Sequence, residues 1–282
     1  MLILTAAQML QVRVQYADWH LIRPRLLMDG NFAVSERVLT DPAHALARSI
    51  LEQGTIVGSF AAFENLGAGE FVTLDGKDCL INADDLPWTL QPTATGHRFE
   101  LRAGEAQRAE FVSLFDTFGA GEEVWQSFTF ELNIRDGFEA ILPAPSWGLI
   151  AQWHGIDSFR SPVVGFDCGN NAFRIVTRSD AELQSGNGVE KVRFSDSLPV
   201  GPVNCVSRLV LGQAGELQVW RNGVEIVNFS GPIGYYNDPG RLAYLQWGKY
   251  NGPNTPASAV TTSNMRWGLT DLSDKILNPD PV

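Results

Sequence analysis

The stretch Trp147-Gly148-Leu149-Ile150-Ala151-Gln152-Trp153-His154-Gly155 carries the densest chemistry in the chain. Strand-like alternation puts Gln152 and His154 on one face. An imidazole exchanges a proton near neutral pH, and an amide beside it can hold an anion. The plain alternative is a histidine that only makes a structural hydrogen bond. Other chemistries lack their residues. No E-x-D-x-E strand supplies the paired carboxylates of a glycoside hydrolase. No G-x-S-x-G elbow is present for a serine hydrolase. Gly67-Ala68-Gly69 and Gly119-Ala120-Gly121 are too short for a phosphate loop and read as turns. The three cysteines, Cys79, Cys168 and Cys205, and four histidines show no zinc-ligand spacing and read as free thiols and core.

Further motifs stand in a fixed order around that stretch. Arg108-Ala109-Glu110 comes first, then Trp125 in a strand, then Gln152-Trp153-His154. Leu217-Gln218-Val219-Trp220-Arg221-Asn222-Gly223 and Gly248-Lys249-Tyr250 follow. In this order and spacing the chain resembles the heparin-lyase-like and glucuronan-lyase-like polysaccharide lyases, over about residues 96–269. The resemblance implies a β-jelly roll with a substrate cleft on one concave sheet, and β-elimination on uronic-acid-containing chains. It implies catalytic roles for Arg108, Gln152, His154 and Tyr250, which match the R-x-E, Q-x-H and G-x-Y motifs. The family often carries a Lys four residues before that Tyr, where this chain has Gln246. Lys249 would point away from Tyr250 by alternation. Gln246, Lys249, Tyr244 and Trp247 are candidates for substrate contact. Arg174 and Arg178 are candidates for a polyanion groove, or for a solvated sheet face. The implied chemistry needs no redox cofactor, and the sequence leaves a structural calcium ion open.

The elements that must position these residues are short strands. From about residue 97, apolar and alternating runs recur at 98–102, 108–114, 124–132, 148–154, 163–167, 173–177, 190–194, 205–211, 216–221, 224–229, 242–248 and 264–269. Asn222-Gly223 is the strongest hairpin signal. Many short strands without a convincing helix predict a two-sheet antiparallel jelly-roll sandwich over 96–270, followed by a tail, 271–282. Residues 1–95 read as a small α+β domain for anchoring or oligomerisation. A helix is predicted over 42–53, with Asp41 as N-cap and Pro42 at the first position. A strand over 55–63 and a hairpin around Asp75-Gly76 complete it, and residues 84–96 read as a linker.

The net charge of −11 over 282 residues argues against nucleic acid, which needs clustered Lys and Arg. An acidic polysaccharide would require a locally basic cleft on this acidic body. No apolar run approaches a membrane span, and the start lacks the basic n-region of a secretory signal. The expected setting is extracellular or virion-associated. The rival expectation is a non-catalytic glycan- or capsule-binding spike on a lyase-like fold, held to a larger particle or a homo-oligomer through residues 1–95.

Overall fold

The computed structural model describes residues 4–5, 31–32, 71–83, 89–101, 108–113, 116–132, 147–155, 161–169, 171–180, 188–235, 243–252 and 257–280. Near the start, β1 (Leu4–Thr5) pairs antiparallel with β2 (Asn31–Phe32). The rest is a sandwich. Its strands run β3 (Phe71–Leu74), β4 (Lys77–Ala83), β5 (Leu90–Pro92), β6 (Gly96–Leu101), β7 (Arg108–Val112), β8 (Glu123–Leu132) and β9 (Gly148–Gly155). They continue β10 (Val164–Asp167), β11 (Ala172–Ser179), β12 (Val189–Ser197), β13 (Val203–Val210), β14 (Gly212–Arg221), β15 (Val224–Ile233), β16 (Ala243–Asn251) and β17 (Ser258–Gly268). An eight-stranded sheet has the order β12-β11-β10-β9-β16-β7-β4-β3, and a seven-stranded sheet the order β15-β14-β13-β8-β17-β6-β5. Every named pairing is antiparallel.

Alternation explains the layering. Leu245 and Trp247 of β16, Phe111 of β7, and Ala151 and Trp153 of β9 turn inward and are buried. They meet Phe99, Phe128 and Phe130 of the opposing sheet. The ring of Phe128 stands edge-on to Phe166 across the sandwich, centroids 5.4 Å apart. Buried Trp153 donates Nε1–H to Gln126 Oε1 of β8 at 2.9 Å, a polar tie between sheets that satisfies both groups. Asp75-Gly76 and Asn222-Gly223 take positive φ at both positions, as a type I′ hairpin turn requires. Charged β12, largely exposed, closes one edge of the larger sheet.

The sandwich begins earlier than the sequence suggested. Val72, Cys79, Ile81 and Ala83 bury in the common core, so the β3–β4 hairpin belongs to the larger sheet through β4–β7 pairing. β5 pairs with β6, so the segment read as a linker contains a strand. The boundary at residue 96 is therefore corrected. The predicted helix over 42–53 and strand over 55–63 lie outside the described residues. The tail also docks. A 3₁₀ turn, Ser273–Lys275, follows Leu272, which packs with Trp125 and Val206 on the outer face of the smaller sheet. Among the described residues, no helix is long and apolar enough to cross a membrane.

Candidate functional site

Because opposite residues in a sheet share a face, register shows which side chains meet. On β16, Tyr244 lies opposite His154 and Gln246 opposite Gln152 of β9. On its other side, Gln246 faces Val112, Gly248 faces Glu110 and Tyr250 faces Arg108 of β7. The outward face of the larger sheet thus gathers Arg108, Glu110, Gln152, His154, Tyr244, Gln246 and Tyr250. Gly248 has φ of 140°, and an added Cβ would come within 2.3 Å of the Ala109 carbonyl oxygen. This conformation and close approach suit glycine alone, at a point where the register of β16 against β9 shifts between Trp247 and Tyr250.

A polar chain runs across these three strands. Gln246 Nε2 donates to Tyr244 Oη at 3.1 Å. Gln152 Nε2 donates to Gln246 Oε1 at 3.1 Å and to Glu110 Oε1 at 2.6 Å. Glu110 Oε2 pairs with Arg108 Nε at 3.3 Å. The Arg108 guanidinium lies 3.9 Å over the Tyr250 ring. Trp147 meets Tyr250 edge-on, centroids 4.6 Å apart. His154 lies 5.7 Å from the Tyr244 ring, and its Nδ1–H donates to the Gly155 carbonyl at 2.8 Å. That bond leaves the lone pair of the neutral imidazole on Nε2.

Burial sets the electrostatics. Glu110 is 1% exposed, and desolvation pushes its pKa up to about 7, although Arg108 and the Gln152 hydrogen bond pull it down. Burial works against the charge of Arg108, but Glu110 and Tyr250 outweigh it and hold its pKa above the ordinary value. Burial pushes Tyr244 up to about 12, against the Gln246 hydrogen bond and Arg108.

Two proposed substrate contacts belong elsewhere. Trp247 is a core side chain, with its ring 5.5 Å from Phe111 and 5.0 Å from Trp267. Lys249 is likewise buried, one residue out of phase with Tyr250. Desolvation lowers its pKa although Cys168 and Asp167 favour its charge. Arg174 and Arg178 do share the outward face, because Phe173 and Ile175 between and beside them turn inward. Both arginines carry carboxylate partners, Asp167 for Arg174 and Glu190 for Arg178. Sequence reasoning did not assign Glu110 or Trp147 to the site. The i, i+2 spacing of Arg108 and Glu110 was the available signal for the first. Trp147 precedes β9, and nothing in its spacing marks it. Among the described residues, no three His, Cys, Asp or Glu side chains are grouped to hold a metal ion.

Several solved structures are similar to this chain. The endo-β-1,4-glucuronan lyase from the fungus Trichoderma reesei shares 12% identity at a TM-score of 0.48, covering 67% of this chain and 87% of that one. The alginate lyase PA1167 from Pseudomonas aeruginosa shares 18% identity at a TM-score of 0.42, covering 65% and 87%. The binding domain of botulinum neurotoxin serotype C1 shares 10% identity at a TM-score of 0.47, covering 72% and 47%. No curated protein matches the chain. The polysaccharide lyase family model matches residues 72–271, which takes in β4 through β17 and every residue of the outward-facing cluster. A match over so much of the chain makes this protein a member of the polysaccharide lyase family.

Proposed function

We propose that this lyase cleaves a uronic-acid-containing polysaccharide by β-elimination on the outward face of the eight-stranded sheet. The supporting observation is that Arg108, Gln152, His154 and Tyr250, far apart in sequence, share that face. The reaction removes the proton at C5 of a uronate and expels the C4 oxygen. Charge that develops on the carboxylate must be neutralised by donors, for which Arg108 and Gln152 serve. His154, with its lone pair on Nε2, and Tyr250 divide the tasks of base and acid. The stereochemistry at C5 decides which residue takes which task. Arg174 and Arg178, both on β11 and two strands from β9 along the same face, extend it toward further sugar units.

The test uses glucuronan, alginate, heparin-like chains and bacterial capsule. A lyase product carries a C4–C5 double bond conjugated to the carboxylate and absorbs in the ultraviolet. That absorbance is expected on at least one polymer. The double variant His154→Ala with Tyr250→Phe should lower turnover at least about a hundred-fold, the lower end of what general acid–base groups contribute, and leave binding in place. New reducing ends without ultraviolet absorbance would refute elimination.

Gln246 favours a second reading, a capsule-binding protein on the same fold. Its amide is engaged by Gln152 and Tyr244 and brings no charge to the site. Tight capsule binding without product on any polymer would establish that reading. In either case the protein acts outside a cell or on a virion, with the region before the sandwich as its attachment or oligomerisation segment. A structural calcium ion is testable by chelation and melting.

A further inference from the structure

Gln152 is fully buried, and its amide has a forced orientation. Its nitrogen faces two oxygens, Glu110 Oε1 at 2.6 Å and Gln246 Oε1 at 3.1 Å. While Glu110 is ionised, the reverse orientation would set oxygen against oxygen. Gln152 Oε1 therefore turns the other way, and no hydrogen-bond partner reaches it. A buried carbonyl without a donor is costly. It is also the wrong group for a uronate carboxylate, which needs a donor. A uronate carboxylate brought to this oxygen would set acceptor against acceptor.

The chain beyond Gln152 is reversible. Gln246 can turn so that its nitrogen donates to Gln152, because Tyr244 Oη at its far end either donates or accepts. Only Glu110 blocks the reversal, and one proton on its Oε1 removes the block. The groups facing Glu110 are Arg108 on its own strand, Gln152 and His154 on β9, Tyr244, Gln246 and Tyr250 on β16, and Asn82 opposite it on β4. Arg108 is the fixed charge among them.

We propose that Glu110 is a proton-loaded positioning residue: a proton taken up on its carboxylate reverses the Gln152–Gln246–Tyr244 chain, so that Gln152 presents N–H donors to the carboxylate of a bound uronate. In the loaded state the Glu110 hydroxyl donates to Gln152 Oε1, Gln246 Nε2 donates to the same oxygen, and Tyr244 donates to Gln246 Oε1. Arg108 is released from its ion pair and turns its charge to the ligand. One proton enters from solvent for each uronate bound, and no covalent bond changes. Burial of Glu110, which brings its pKa to about 7, places this uptake in the neutral range.

This inference rests on the uronate reading, and the experiment separates the two. The probes are glucuronan and alginate tetrasaccharides, titrated calorimetrically into the full chain carrying His154→Ala. That substitution removes the imidazole, one of the two groups assigned to proton transfer, so that its protonation does not enter the measurement. Binding enthalpies in buffers of different ionisation enthalpy give the protons taken up. About one proton per site is expected at about pH 8, with affinity falling roughly tenfold per pH unit above the Glu110 pKa. Adding Glu110→Gln, whose side-chain nitrogen mimics the loaded hydroxyl, should abolish the uptake and flatten the pH dependence while keeping the affinity. Binding without proton uptake in the Glu110 protein overturns the inference and leaves the uronate reading standing, and this measurement does not depend on the Glu110→Gln chain folding. A folded Glu110→Gln chain that still takes up a proton overturns it too. Failure of both tetrasaccharides to bind at any pH overturns both.

Discussion

Replacing Glu110 with Gln should stabilise the fold, and more so at alkaline pH. The carboxyl is 1% exposed, and its pKa rises from 4.5 to about 7 on folding. A raised folded pKa means that the folded state prefers the neutral acid. The stability linked to that preference is complete below the unfolded value and is lost as pH rises through the folded one. Each pKa unit is worth about 1.4 kcal/mol, so ionised Glu110 costs the fold roughly 3 kcal/mol. Glutamine has nearly the same shape, stays neutral and keeps a hydrogen bond to Gln152, donating to its Oε1 as the protonated acid would. It forgoes only the pairing to Arg108, whose side chain is 32% exposed. The gain should be roughly 3 kcal/mol at about pH 8.5 and roughly 1 kcal/mol at about pH 5.5, from the same linkage. Urea unfolding at the two pH values reads it directly, because the midpoint shifts while the slope stays constant. An equal effect at both pH values, or destabilisation at the higher one, would refute the assignment of a buried carboxylate whose charge is costly.

Other perturbations address the positioning of the site. Lys249→Met removes a buried ammonium whose pKa desolvation has lowered; it should leave turnover unchanged and be neutral or stabilising by about 1–4 kcal/mol in thermal unfolding. A large loss of activity would return Lys249 to the substrate face. Gly248→Ala forces a Cβ to 2.3 Å from the Ala109 carbonyl oxygen; it should misplace Tyr250 and lower kcat far more than Lys249→Met does in the ultraviolet assay. Gln126→Leu strands the buried Trp153 indole N–H and should cost about 1–3 kcal/mol in urea unfolding, with β9 the first strand to lose amide-exchange protection.

The primary structure by itself determined the fold class and the membership of the outward face. Period-two alternation of apolar residues, as in Phe128-Thr129-Phe130-Glu131-Leu132, reports which side of a strand meets the core. Asn-Gly and Asp-Gly report hairpins because their backbones accept positive φ. The same alternation set Gln152 with His154 and turned Lys249 away from Tyr250. Trp247 was expected at the substrate and is buried against Phe111 and Trp267. It alternates with Gln246 along β16, so the strand's own period, read through, turns it to the core. Tertiary structure also decided where the sandwich begins: the hairpin around Asp75-Gly76 is legible in its own residues, but only the pairing of β4 with β7 places it in the larger sheet. It alone revealed Glu110 as the pivot of the site. Side chains on three strands, β7, β9 and β16, must come within hydrogen-bonding distance before a carboxylate in an R-x-E motif becomes a buried acid that holds the orientation of an amide.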